Sequence, residues 1–197
     1  ELLENARRQN PNSSTAAFFL GLTYKQLFEY DKAADQFRNS LTLEPMIKEA
    51  LVELIEVLYR VKTPKSLKEA KSWIAIAETE EILPAKVAFL EGLILQAEGK
   101  NQEAISAFEK SITLDPAYRQ SAEIQIAMCY MKERELATAR EKLQTAIQID
   151  PTTDLAGFAR RYRDLVERRM ELEKPLRVTL GVFPQYDDNV VLNPDVA

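Results

Sequence analysis

Carboxylates and a single thiol are the side chains of this sequence with the most chemistry to offer, because histidine is absent and only one cysteine occurs. Histidine-based triads and His/Cys zinc sites therefore cannot be assembled. Near the end of the chain, Asp187, Asn189 and Asp195 carry oxygen atoms of the kind that calcium prefers. The chemistry of turns and loops explains the same residues, so we expect neither a metal nor a cofactor.

Three further groups could act as catalytic side chains. Cys129 lies among apolar residues and is expected to be a small buried hydrophobe rather than a nucleophile. The acidic run at 78–81 could supply an acid and a base, but no cleft residue accompanies it and we expect it to end a helix in water. A glycan hydrolase acting through Asp187 and Asp188 is a competing hypothesis. We expect a protein that is not an enzyme.

A cluster of arginines near the end of the helical region could bind phosphate. Its members are Arg160, Arg161, Arg163, Arg168 and Arg169. Acidic residues are interspersed among them, which favours a solvated helix face. The net charge of −5 argues against a nucleic-acid-binding surface. With 5 glycines and no GxGxxG or GxxxxGK motif, the chain also has no phosphate-binding loop of known pattern.

The elements that must position these residues recur along the chain. Three segments, at 30–45, 101–116 and 136–151, align without gaps. Each carries an alanine, a bulky residue, a small residue and a proline at the same spacing: Ala33, Phe37, Ser40 and Pro45; Ala104, Phe108, Ser111 and Pro116; Ala139, Leu143, Ala146 and Pro151. Twelve residues before each alanine stands Gly21, Gly92 or Ala127, where two helices must approach closely.

This pattern resembles the tetratricopeptide repeat, a pair of antiparallel helices about 34 residues long. The resemblance implies an all-α fold, a right-handed α-solenoid of helix hairpins, with a capping helix and a short strand-like tail. The predicted divisions are as follows: 1–10 as the second helix of an upstream repeat; repeats at 12–47, 48–84, 85–118 and 119–152; a capping helix at 153–174; and an extended tail at 175–197.

The second repeat departs from the pattern. Ile55 replaces the small residue, the turn between its helices is longer, and Pro84 comes two places late. Ser66 and Glu69 are predicted to form a capping box that starts its second helix. Thr152 or Thr153 is predicted to cap the terminal helix.

The resemblance implies that the first helix of each pair lines a concave groove that binds a protein or peptide partner. The predicted groove residues are Phe18, Leu22, Lys25, Val52, Tyr59, Lys86, Phe89, Leu93, Ile124, Met128, Met131 and Lys132. A second interpretation, that tight curvature buries these apolar side chains as core, stays open. No groove position is asparagine, which argues against the lysine and asparagine clamp used by chaperone-binding members of the family.

Leu176, Val178, Leu180 and Val182 alternate with less apolar residues, which predicts a strand. An isolated strand leaves its backbone groups unpaired, so it must start a sheet beyond residue 197, pair with another chain or lie on the repeats. The segment at 186–190 resembles the opening of outer-membrane β-barrels that follow periplasmic tetratricopeptide repeats and export exopolysaccharides or surface proteins. We therefore expect a periplasmic scaffold at the bacterial outer membrane, possessing no membrane-spanning helix. A cytoplasmic adaptor or assembly factor, whose tail pairs with a partner chain, is the alternative.

Overall fold

The computed structural model describes residues 2–173, which form ten α-helices and a short 3-10 helix, with no strand in that range. The helices are α1 (Leu2–Gln9), α2 (Ser14–Gln26), α3 (Tyr30–Thr42), α4 (Glu49–Val61), α5 (Pro64–Thr79), α6 (Pro84–Ala97), α7 (Asn101–Leu114), the 3-10 helix (Pro116–Tyr118), α8 (Arg119–Lys132), α9 (Leu136–Ile149) and α10 (Asp154–Leu172). Across residues 2–173, no helix combines the length and apolar character that crossing a membrane requires. The predicted tail at 175–197, with Asp187, Asp188, Asn189 and Asp195, lies outside the described residues.

The expected all-α fold is confirmed, and a glycine–phenylalanine contact holds two of its hairpins together. A Cβ atom added to Gly21 would lie 2.7 Å from Phe37 Cε1, and one added to Gly92 would lie 2.6 Å from Phe108 Cε1. Cβ atoms do not approach other atoms so closely, so only glycine lets the ring pack against the facing helix backbone. Both phenylalanines are 0% exposed, and burying each stabilises the fold by about 1.5–3 kcal/mol.

The repeat prolines occupy corresponding corners of the fold. Pro45, Pro116 and Pro151 each lie two or three residues beyond the end of α3, α7 or α9. A proline here cannot extend the preceding helix, because it has no backbone N–H to donate. Pro84 has a different role, since it is the first residue of α6, a position where its missing N–H costs nothing.

The helices form two rows, and the stack curves toward one of them. Within the inner row, made of α2, α4, α6, α8 and α10, each helix contacts the next member of the row. Helices α3, α5, α7 and α9 form the outer row, in which successive members do not approach one another to the same extent. The inner row is therefore the concave side of the α-solenoid.

The start of α5 differs from the prediction. Thr63, not Ser66, caps the helix: its hydroxyl accepts the backbone N–H of Ser66 at 3.1 Å, and the Ser66 hydroxyl accepts the N–H of Thr63 at 3.0 Å. Pro64 follows as the first helical residue, which its fixed φ favours. Glu69 instead accepts two hydrogen bonds from Arg38, at 2.8 and 3.0 Å, and so joins α5 to α3.

Helix α10 closes the described part of the stack. Thr153 caps it, accepting the backbone N–H of Ala156 at 3.1 Å. Arg161 stands one repeat length after Ala127, where earlier repeats place a small residue against a second helix. Arg161, Asp164 and Arg168 are all exposed on this face, which is polar and suited to water rather than to a further packed helix.

Candidate functional site

The predicted groove residues all lie on α2, α4, α6 or α8, but two of them do not reach the surface. Val52 and Ile124 are 0% and 2% exposed, so they belong to the core and are corrected as groove residues. Phe18 and Phe89 stand at the corresponding repeat position and are only half-buried. The difference follows from length, because a short branched side chain ends below its neighbours whereas a phenyl ring extends past them.

The other predicted apolar residues retain a partly exposed surface. They are Phe18, Leu22, Tyr59, Phe89, Leu93, Met128 and Met131. Phe89 shows how such a residue is held: its ring centroid lies 5.4 Å from that of Phe108 in the core and 5.6 Å from that of Tyr118. One side of the ring is therefore fixed by aromatic packing while the rest is available to a ligand. Whether a partner touches these residues stays a prediction.

Helix α10 adds residues to this surface that the sequence analysis assigned only to a cap. Leu155 and Leu165 are 42% and 56% exposed. Between them along the helix lie Phe158 and Tyr162, whose ring centroids are 4.3 Å apart with the ring planes inclined by 31°. These four residues stand at the second, fifth, ninth and twelfth positions of a repeat whose count continues from α8. The same positional rule that selected Phe89 and Met128 could therefore have found them.

Together α6, α8 and α10 carry a partly exposed apolar face, here called the apolar inner surface. Its residues are Phe89, Leu93, Met128, Met131, Leu155, Phe158, Tyr162 and Leu165. Methionine and aromatic side chains adapt their shape to a partner at low cost and give large contact areas. This surface can bind an apolar segment.

The opposite half of the inner row carries charges that pair with one another. Lys25 Nζ lies 2.6 Å from Glu53 Oε2 and 2.9 Å from Glu56 Oε2. Lys86 Nζ lies 2.9 Å from Glu53 Oε1 and 3.6 Å from Glu56 Oε2. This lysine–glutamate network connects α2, α4 and α6 across three repeats. Both lysines belong to the groove predicted from the sequence, whereas Glu53 does not.

The pKa values show how strongly the network favours charge. Burial opposes ionisation of Glu53, but hydrogen bonds donated by Lys25 and Lys86 outweigh it and hold the pKa of Glu53 below its ordinary value. Burial likewise opposes the charged form of Lys86, yet Glu53 raises the pKa of Lys86 above its ordinary value. Two of the three predicted groove lysines are therefore neutralised and do not stand ready for a partner's carboxylate.

The remaining polar groove residues also have contacts within the chain. Lys132 Nζ donates to the backbone carbonyl of Gln96 at 3.2 Å, which joins the end of α8 to the end of α6. The Lys62 ammonium lies 5.2 Å from the centroid of the Tyr59 ring, a cation–π arrangement. Because the acceptor is a backbone carbonyl, this contact is a hydrogen bond and not an ion pair.

Cys129 has the environment of a structural residue. It is 0% exposed, and burial raises the pKa of its thiol above the ordinary value, with the hydrogen bond from Gln96 Nε2 acting in the opposite direction. That donor lies 3.3 Å from Sγ. A neutral, enclosed thiol is a poor nucleophile.

Three of the clustered arginines on α10 are occupied by neighbours. Arg163 contacts Asp164 at 2.8 Å, and Arg169 contacts Glu173 at 2.9 Å. Arg160 donates to the backbone carbonyl of Pro151 at 2.7 Å. These contacts agree with a solvated, charge-balanced helix face rather than a phosphate site.

Comparison with protein families identifies the repeats. Residues 14–45 and 85–118 match the model of the tetratricopeptide repeat, so the first and third hairpins are confirmed as repeats of this kind. No curated protein sequence matches the chain.

Solved structures support the same fold. MamA from Desulfovibrio magneticus RS-1, residue 41 to the end, superimposes with a TM-score of 0.65 at 20% identity, over 77% of this chain and 84% of that one. A thermophilic TPR protein from Thermus thermophilus gives a TM-score of 0.66 at 20% identity, over 81% of this chain and 86% of that one. YrrB, described as a TPR protein with an unusual peptide-binding site, gives 0.62 at 24% identity, over 81% and 80%.

Proposed function

We propose that this chain, with tetratricopeptide repeats at its first and third hairpins, is a protein-interaction scaffold whose apolar inner surface binds an apolar segment of a partner. The observation that carries the proposal is the continuity of half-exposed methionine, leucine and aromatic side chains over three consecutive inner helices. A surface of this kind is characteristic of a site that another chain covers. The likeness to YrrB, whose description names a peptide-binding site, is compatible with this role.

The paired charges of the inner row favour an apolar partner segment over an acidic one. Lys25 and Lys86 are held by Glu53 and Glu56, so an incoming carboxylate would have to displace an existing ion pair. An apolar helix face or an extended apolar segment meets no such competition. Binding is therefore expected to depend weakly on ionic strength, because salt screens interactions between charges and the proposed contacts are apolar.

Site-specific photo-crosslinking in the native host tests this proposal. A benzoylphenylalanine at Leu165 on the apolar inner surface should capture a discrete partner. The same group at Ile76, which is 45% exposed on outer helix α5, is the matched control. Capture at Leu165 that disappears when Met131→Asp is added supports the proposal. Equal capture at both positions, or capture that Met131→Asp leaves unchanged, contradicts it.

We propose further that the scaffold works in the periplasm, as the repeat region of an outer-membrane export or assembly protein. The support is the alternating pattern from Leu176 onward and the segment at 186–190, both read from sequence and outside the described residues. Fractionation of the native host with an antibody against residues 2–173 tests the location. Recovery with periplasm or outer membrane agrees with this proposal, whereas recovery with cytoplasmic markers favours the adaptor hypothesis.

A further inference from the structure

A crevice between α5 and α6 lies away from the apolar inner surface. It is a cavity of about 220 Å³ lined by Lys71, Ile74, Ala75, Glu78, Glu91, Ile94 and Leu95. Glu91 is two residues from both Phe89 and Leu93, which turns it by about 200° around the helix axis from each. The crevice therefore opens on the other side of α6 from the surface proposed above.

Comparison among the repeats singles out Glu91. The residue that precedes the small position is Leu20 in the first repeat, Leu54 in the second and Ile126 in the fourth, and these are 5%, 0% and 1% exposed. In the third repeat this position is Glu91, which is half-buried. A carboxylate thus stands where the other repeats place a buried aliphatic side chain, at a cost in desolvation.

The other charged residues of the crevice are already paired. Lys71 Nζ lies 2.5 Å from Glu98 Oε1, and Lys110 Nζ lies 2.7 Å from Glu78 Oε1. Glu91 makes no hydrogen bond or ion pair with any of residues 2–173. Burial, assisted by the negative charge of Glu78 and opposed by the positive charge of Lys110, raises the pKa of Glu91 above its ordinary value. A cation entering the crevice would satisfy this carboxylate.

We propose that the crevice binds the side chain of a partner protein's lysine, with the ammonium group at Glu91 and the methylene stem along Ile74, Ile94 and Leu95. The Glu91 carboxylate supplies the complementary charge, and the three aliphatic side chains, at most 9% exposed, supply an apolar wall. Ligand pockets for whole small molecules usually measure about 300–1,000 Å³. A smaller crevice suits one side chain.

The proposal is tested by titrating the whole chain with a lysine analogue. The methyl NMR signals of Ile74, Ile94 and Leu95 report binding. Nα-acetyl-lysine methylamide is the probe, and its norleucine counterpart, which lacks the ammonium group, is the ligand control. We expect saturable shifts with lysine and at least tenfold weaker binding of norleucine. Equal binding of the two ligands would overturn the proposal.

Two variants and a second probe complete the experiment. Glu91→Gln should weaken lysine binding at least tenfold, whereas Glu141→Gln, on the exposed face of α9, should leave it unchanged. Unchanged binding in Glu91→Gln overturns the assignment. Butylamine tests whether the ammonium group comes from a protein side chain or from a small free amine. Weaker binding of butylamine than of the lysine probe supports a protein side chain, and tighter binding contradicts it.

A stability measurement tests the crevice without any ligand. Glu91→Leu restores the aliphatic residue of the other repeats, so the melting temperature should rise by a few degrees while lysine binding is lost. A lower melting temperature would mean that the position does not accept an aliphatic side chain and would contradict the comparison among repeats. Because the apolar inner surface is untouched, loss of crosslinking at Leu165 is not expected in this variant.

Discussion

The two halves of the inner row share one scaffold and present different surfaces. In the N-terminal half, α2, α4 and the start of α6 join Lys25, Glu53, Glu56 and Lys86 into a network that satisfies itself. In the C-terminal half, the apolar inner surface leaves methionine, leucine and aromatic side chains partly exposed. Beneath both halves lies the same glycine–phenylalanine contact. The scaffold is therefore set by a few packed positions, and the surface by positions that packing leaves free.

The largest effect is expected where the two halves are alike. Phe37→Ala and Phe108→Ala each remove a fully buried ring and should lower the free energy of unfolding by about 3–5 kcal/mol. Urea denaturation monitored by circular dichroism measures both. Similar losses would show that the halves differ only at the surface. If one variant loses less than half as much free energy of unfolding as the other, the cores of the two halves differ as well.

A smaller effect is expected from the lysine–glutamate network. Glu53→Gln removes a carboxylate that accepts hydrogen bonds from two lysines, and it should lower the free energy of unfolding by about 1.5–3 kcal/mol. The exposed Glu141→Gln is the matched control and should change it by less than about 0.5 kcal/mol. Equal stability of the two variants would show that the network adds nothing to the N-terminal half.

The network also predicts an acid dependence. The folded-state pKa of Glu53 is lowered, so its contribution is present above the unfolded-state value of about 4.3 and is lost as pH falls through the folded-state value. The pKa of Glu91 is raised, so its contribution has the opposite sign: it is present at low pH and is lost as pH rises. Urea midpoints from pH 6 to pH 3 should fall less in Glu53→Gln than in the wild type, and more in Glu91→Gln.

The smallest effect on stability is expected on the apolar inner surface. Leu165 is 56% exposed, so Leu165→Asp should change the free energy of unfolding by less than about 0.5 kcal/mol. Met128 and Phe89 are half-buried, so Met128→Asp and Phe89→Asp should lower the free energy of unfolding by more than Leu165→Asp does. Phe89 also packs on Phe108. Partner capture by a crosslinker at Met131 should be lost in Leu165→Asp although the fold persists. Capture that survives would remove α10 from the proposed site.

Repeat spacing predicts features within one hairpin and misses contacts between hairpins. The repeat spacing correctly marked Gly21 and Gly92 as points where two helices approach closely, and the structure places the rings of Phe37 and Phe108 there. It wrongly started α5 at Ser66 rather than Thr63, since several residues in a row could cap the helix. It placed Lys25 and Lys86 in the groove without identifying their partners, because the glutamates that hold them belong to another repeat.

The amino-acid sequence by itself determined the helix hairpins and the small residues at their crossings. These features follow from the periodicity of apolar residues and from side-chain size, and both can be read within one hairpin. Only the tertiary structure decided that Val52 and Ile124 are buried, that the groove lysines are paired, that α10 extends the apolar inner surface and that Glu91 has no partner in residues 2–173. Each of those facts depends on distances between helices of different repeats, and no single repeat contains them.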